Sequence, residues 1–239
     1  MPDAQPLRIP LPDGTAVSGL ALVPRAAKAG LVLAHGAGAG MAHPFMAALA
    51  EQLALSGVAT LRYQFPYMEK GTRRPDPPIV AQATVRAAVA AAVRRLAGIP
   101  LFAGGKSFGG RMTSEAQAGA ALPSIIGLVF LGFPLHPANR PAAARAQHLA
   151  NVRIPMLFLQ GTRDALARAD LLAQVMADLG DRATLQLFAD ADHSFHVPKR
   201  SGSTDALVMA ELADTVSAWI GTTVGRGSAH GGEALHDRR

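Results

Sequence analysis

The sequence predicts an α/β domain: a mostly parallel central sheet with an N-terminal antiparallel hairpin and helices on both faces. Three observations point there. Short apolar runs recur without period-2 alternation, as strands buried on both faces require. Each is followed by an Ala-rich segment with helical spacing, the alternation that builds parallel sheets. Glycine-containing turns separate the two kinds of segment. The 239 residues are 49% hydrophobic, which suffices for a sizeable core in one large domain.

The elements follow in chain order. "LRIPLPDGTAVSGLALVP" reads as a hairpin turning at Pro12-Asp13-Gly14. "GLVLAHG" is a fully apolar strand, and "PFMAALAEQLALSG" a helix that ends at Ser56-Gly57. "VATLRYQF" is the next strand. "PYMEKGTRRPDPP" is too rich in proline and charge for regular structure and is expected to be a loop. "IVAQATVRAAVAAAVRRLAG" is a long helix stopping at Gly98. Then come strand "PLFAG", helix "FGGRMTSEAQAGA", strand "IIGLVFLGF", a connection with room for one helix, and strand "PMLFLQG". Helix "RADLLAQVMADLG", strand "ATLQLFAD" and a final helix "TDALVMAELADTVSAWIG" complete the domain, expected over residues 1–221. The polar, Gly-rich stretch 222–239 is expected to be a disordered tail.

Composition narrows the function classes. Cysteine is absent, so disulfides and thiolate metal sites are excluded. The N-terminus shows no basic start followed by an apolar run, and no apolar stretch reaches about 18 residues. A cytoplasmic protein is therefore the default expectation. The formal charge is +6, but the basic residues are scattered and aromatics make up 5%, which argues against nucleic-acid binding.

The stretch "LFAGGKSFGG", residues 101–110, supports two readings. Gly105-Lys106-Ser107 could end a phosphate-binding loop, which needs a glycine five residues earlier. Pro100 stands there, and the residues between belong to a strand. Gly105-Lys106-Ser107-Phe108-Gly109 also spells G-x-S-x-G, the sharp strand-to-helix turn that presents a nucleophilic serine. The small residues two before and two after the serine suit that turn, because strand and helix approach closely there.

A serine hydroxyl needs a base, and the base an orienting acid, in the chain order Ser, Asp or Glu, His. Asp164 follows the strand "PMLFLQG", and His193 follows "ATLQLFAD". Asp190, Asp192 and His196 are the competitors in the His loop, and Asp164 could instead cap a helix. His136 and His148 precede the acid and break the order. For the oxyanion, the backbone N–H of Phe108 is one donor. The second comes from "HGAGAG", best Ala37, with Gly38 next and His35 as a brace.

These features resemble the α/β-hydrolase superfamily, and within it the small, lidless dienelactone-hydrolase-like serine hydrolases of unassigned substrate. "HGAGAG", "GGKSFGG", "GTRD" and "DADHSF" occur in the family's order across roughly residues 8 to 221. The resemblance implies a Ser107–His193–Asp164 triad. Dienelactone hydrolases proper use a cysteine nucleophile, so the resemblance stops short of that activity. The short "PLHPANRPAAARAQHLANVRI" excludes a large lid.

The expected function is hydrolysis of a small ester-like substrate, carboxylester or thioester, without metal or cofactor, by a monomer or homodimer. A non-catalytic binding protein and an acyltransferase are the alternatives. The loop "YQFPYMEKGTRRPDPP" is expected to shape substrate choice. Tyr63, Phe65, Tyr67 and Met68 could wall a pocket, and Lys70, Arg73 and Arg74 could attract an anionic substrate group. Arg111 is expected to serve as a structural ion-pair partner.

Overall fold

The computed structural model describes residues 3–233, with side-chain surroundings through residue 226. Strands β1 (Gln5–Pro10) and β2 (Ala16–Leu22) pair antiparallel, with Gln5 opposite Ala21 and Pro10 opposite Ala16. Their turn is set by Asp13, whose Oδ1 accepts the Thr15 N–H at 3.0 Å and the Thr15 hydroxyl at 2.7 Å. Gly14 takes φ 82°. β2 also runs antiparallel to β4 (Val58–Tyr63).

From β4 onward the sheet is parallel. β3 (Ala29–Ala34), β5 (Leu101–Lys106), β6 (Ile125–Leu131), β7 (Met156–Gly161) and β8 (Ala183–Phe188) complete the eight strands, in the order β1-β2-β4-β3-β5-β6-β7-β8. Successive side chains point to opposite faces, so each strand feeds two layers. On one side, Leu31 and Leu33 of β3 join Met46 and Leu49 of α1 (Pro44–Leu55) and Leu212 and Val216 of α6 (Asp205–Glu233). On the other, Val32 and Ala34 join Val85 and Val89 of α3 (Pro78–Arg95) and Met112 of α4 (Phe108–Gly119). Helix α5 (Ala169–Leu179) covers the same side through Leu172 and Val175. Among the described residues no helix is long and apolar enough to cross a membrane.

The loop after β4 and the last helix differ from the sequence expectation, while the connection after β6 fills the room expected for a helix. The loop after β4 contains one helical turn, α2 (Pro66–Glu69). Proline suits its first position, because the missing N–H would have had no helical partner. The connection after β6 holds a 3-10 helix, Ala144–Asn151, anchored by Ala146 and Leu149. Helix α6 does not stop at residue 221 but continues to Glu233. No proline interrupts it, and the Thr222 and Thr223 hydroxyls donate to the Ala218 and Trp219 carbonyls at 3.1 and 2.8 Å. Residues 234–239 of the expected tail lie outside the described ones.

Parallel strands put their C-terminal ends on one edge of the sheet, and the loops there gather the candidate functional groups. The junction between β5 and α4 is tightly packed. A Cβ on Gly109 would lie 2.5 Å from the His35 carbonyl oxygen and 2.7 Å from the Ala34 Cβ. Gly109→Val is expected to cost ~3 kcal/mol or more, because overpacking here meets backbone that cannot yield. Ser107→Ala, which removes one oxygen from a partly exposed site, should leave Tm nearly unchanged. Calorimetry of both variants checks this, and equal Tm values would contradict the close approach.

Candidate active site

Ser107 lies between β5 and α4 with φ 51° and ψ −115°. This backbone region is costly for a residue with a Cβ, by ~1–3 kcal/mol. The conformation is held by the Ser107 N–H donating to the Leu131 carbonyl at 3.0 Å and by the start of α4, where Arg111 N–H bonds the Ser107 carbonyl. It leaves the hydroxyl standing above the sheet edge.

The Ser107 Oγ is 2.8 Å from His193 Nε2, and His193 Nδ1 is 2.7 Å from Asp164 Oδ2. A carboxylate only accepts, so Nδ1 carries the proton and Nε2 is free to accept from the serine hydroxyl. The Asp164 side chain is fully buried, and that of His193 is 25% exposed. Three donors meet the carboxylate: the His193 Nδ1–H, the Leu166 N–H at 2.7 Å to Oδ1, and the Gln160 side-chain amide to Oδ2. Gln160 is itself fixed, since its Oε1 accepts the Phe133 N–H at 2.9 Å. Asp164 thus meets the imidazole, and Arg168 rather than Asp164 stands at the start of α5.

The competitors have other partners. Asp192 Oδ1 accepts the Ser194 and His196 N–H groups at 2.7 and 3.0 Å and shapes the His193 loop from within. His196 is exposed and pairs with Asp205 at 2.8 Å, which raises its pKa. Asp190 is exposed and holds its backbone N–H on Thr162.

The "HGAGAG" loop abuts the elbow. A Cβ on Gly36 would lie 3.8 Å from the Ser107 Cβ. His35 braces this loop: its Nε2 accepts the Phe65 N–H at 3.1 Å and its Nδ1 donates to the Gly36 carbonyl at 2.7 Å. The Tyr67 hydroxyl donates to the Ala37 carbonyl at 2.9 Å and approaches that of Gly36 at 3.4 Å. A peptide unit is planar and trans, so fixing the Gly36 carbonyl on one side sends the Ala37 N–H to the other. Phe108 is the first residue of α4, where an N–H has no intrahelical acceptor. Ala37 and Phe108 therefore each carry a backbone donor at the rim of the cleft.

Two cavities of about 400 Å³ each flank Ser107, sharing Ala37 and Leu166. One is lined by Phe45, Met46 and His193, the other by Pro75, Phe108, Arg111 and Arg145. Four expected substrate contacts do not line either cavity. Tyr63 is 0% exposed and lies in the core with its ring on Phe65. Tyr67 is buried and acts on the Ala37 loop, with burial pushing its hydroxyl up to about 12. Arg73 and Arg74 are exposed on the outer part of their loop. The reason is that the chain turns back through α2, with Tyr67 N–H on Asp76 Oδ2 at 3.0 Å. That bond brings Pro75 and Asp76, rather than the arginines, to the cleft.

Sequence reasoning missed Gln160, Gly132 and the role of Lys106. Gln160 is the polar residue inside the apolar strand "MLFLQG", a readable signal. The Lys106 ammonium donates to the His193 carbonyl and lies 5.3 Å from the Phe195 ring centroid. Burial lowers it to about 8, against the pull of Asp164 and Asp192. Gly132 takes φ 69°, and a Cβ there would meet Lys106 Nζ at 3.1 Å and the His193 ring at 3.4 Å. Among the described residues no group of three or more His, Asp or Glu is placed to hold a metal.

Comparison with known proteins agrees with this fold. The family described as "Alpha/beta hydrolase domain" matches residues 27–221. The chain belongs to the α/β-hydrolase family. Among solved structures it is similar to a dienelactone hydrolase from Anabaena variabilis, with TM-score 0.74, 19% identity and coverage of 91% of this chain and 96% of that one. A lidless α/β serine hydrolase from Xanthomonas campestris gives TM-score 0.72 and 20% identity, covering 92% and 96%. Est1E from Butyrivibrio proteoclasticus, in a structure with ferulic acid, gives 0.69 and 17%, covering 90% and 99%. At these identities the likeness concerns the fold.

In this α/β hydrolase the brace at His35 has a pH signature. Burial holds the imidazole down to about 4, from an ordinary 6.5, despite the lift from its bond to Gly36. The unfolded chain protonates as pH falls through 6.5, while the folded chain resists until about 4. Stability is therefore lost on acidification across that window, by up to ~3 kcal/mol from this residue. Denaturant titrations at several pH values should show a shallower slope for His35→Gln, by about one proton. Parallel slopes for the two proteins would contradict the assignment.

Proposed function

We propose that the protein is a serine hydrolase that cleaves a small ester-like substrate, a carboxylester or thioester, through an acyl-enzyme on Ser107. The observation that carries this reading is the unbroken series of hydrogen bonds from Ser107 Oγ through His193 to the buried Asp164. A hydroxyl, an imidazole in the accepting tautomer and a fixed carboxylate supply what nucleophilic attack on a carbonyl needs.

In the first half-reaction, His193 Nε2 takes the proton as Ser107 Oγ attacks the carbonyl carbon. Asp164 keeps Nδ1 protonated and stabilises the imidazolium. The N–H groups of Ala37 and Phe108 receive the developing oxyanion, each donor contributing roughly 3 kcal/mol. His193 returns the proton to the departing alkoxide or thiolate. In the second half-reaction, water attacks the acyl-enzyme with His193 again as base, and the carboxylic acid leaves. Every group in the cycle belongs to the chain itself. The buried Lys106 would fix the His193 loop against β5, and Tyr67 would fix the Ala37 peptide. The esterase and serine-hydrolase names of similar structures support the ester class.

A panel of nitrophenyl esters tests the proposal. Ser107→Ala should lower kcat by roughly 10⁴–10⁶-fold with Tm unchanged, and the Ser107→Ala/His193→Ala double variant should lose little more than either single one. Retention of most activity in Ser107→Ala, or additive losses, would contradict the assignment.

A further inference from the structure

We infer that the second cavity beside Ser107 is an anion subsite, in which Arg111 and Arg145 hold a carboxylate on one half of the ester. The inference rests on the hydrolase reading above and adds a substrate class to it. It starts from placement. Arg111 lies one turn into α4, four residues past Ser107, and Arg145 opens the 3-10 helix that crosses above α4. Two elements distant in sequence thus deliver guanidiniums to one concave wall that also carries Ser107, Phe108 and Leu166.

Their partners leave donors to spare. Arg111 donates through Nη1 to Glu115 Oε1 at 2.9 Å, an i,i+4 pair along the helix, and this occupies one part of its fork. Arg145 has no hydrogen bond or ion pair to any other described residue, although it is only partly exposed. Burial and the nearby charge of Arg111 both act against the Arg145 cation. Two like charges brought together without a shared counter-ion are stabilised by an anion between them. The carboxylate in this cavity, Asp76, already accepts the Tyr67 N–H at 3.0 Å and is in no ion pair with either arginine. Glu115, outside the cavity lining, already pairs with Arg111, so Arg145 is the cation of this wall left without a counter-ion, with the spare donors of Arg111 beside it.

The opposite cavity supplies the contrast. Phe45, Met46, Ala39 and Leu166 make it largely apolar. The cleft therefore suits an ester with one apolar half and one carboxylate-bearing half, the scissile carbonyl over Ser107. Guanidinium forks bind carboxylates in a bidentate way and recognise their planarity.

The test uses mono-(4-nitrophenyl) glutarate and neutral 4-nitrophenyl butyrate as substrates. The readout is the ratio of their kcat/KM values. Arg145→Gln should lower the charged-to-neutral ratio at least about ten-fold, while Arg73→Gln/Arg74→Gln moves it less than about two-fold. The wild-type preference should also shrink at high salt. A ratio unmoved by Arg145→Gln, or moved equally by the loop variant, overturns the subsite. If wild type cleaves neither ester, the hydrolase reading fails while the subsite remains open to measurement by calorimetric titration with glutarate. Wild type should then bind glutarate and Arg145→Gln bind it at least about ten-fold more weakly. Absence of binding to wild type, or equal binding, overturns the subsite on its own.

Discussion

The whole arrangement depends on one backbone constraint: Ser107 is held at φ 51° between a strand and a helix that nearly touch. A serine reaches that conformation only when its surroundings fix it. Here Gly105 and Gly109 let β5 and α4 approach β3, since a Cβ on either would meet Ala34 or His35 backbone below 3 Å. The same contact sets the position of the "HGAGAG" loop, because Gly109 packs on the residues that start it. One tight junction thus fixes both the hydroxyl and the loop bearing the Ala37 N–H. The Phe108 N–H follows automatically, as the first amide of the helix that begins there.

The remaining groups arrive from further along the sheet, and their precision comes from buried polar contacts. Asp164 stands on a turn closed by its N–H to the Gly161 carbonyl at 3.2 Å, and Gln160 ties its carboxylate to the end of β6. The His193 loop is held from three sides. Asp192 organises its backbone, the Arg163 N–H bonds the Ala191 carbonyl at 2.9 Å, and Lys106 reaches across from β5. A buried lysine is costly, and the lowering of its pKa to about 8 reflects that cost. It is offset locally by a backbone carbonyl, an aromatic face and two carboxylates. The interior of the site is therefore a polar network whose members also define the loop geometry, as fully partnered buried networks do.

Much of this was legible in the sequence, and the limits follow from physics. The inner strands β3 to β7 were readable because strands buried on both faces carry uninterrupted apolar runs, and "IIGLVFLGF" or "PMLFLQG" admit little else. Ser107, Asp164 and His193 were readable because strand order in a parallel sheet converts chain order into position along one edge. The loop after β4 was not, because its path depends on the Tyr67–Asp76 bond, a pairing that nothing in "PYMEKGTRRPDPP" announces. Tyr63 and Tyr67 looked like pocket walls from their place near a strand end, but alternation turns one into the core and α2 turns the other onto the Ala37 loop. Arg145 escaped notice because the 3-10 helix carrying it has only Ala146 and Leu149 as buried anchors, too weak a pattern to place a side chain. The extension of α6 beyond residue 221 was hidden by glycines that lower helix propensity without forbidding the helix.

The central claim is that Ser107 is the nucleophile made reactive by His193 and Asp164. The most direct measurement is intact-protein and peptide mass spectrometry after treatment with a fluorophosphonate. The account predicts a single adduct, mapped to Ser107, that forms on wild type and forms far more slowly on His193→Ala of unchanged Tm. No adduct, an adduct on another residue, or labelling of Ser107 at the same rate without His193 would contradict it.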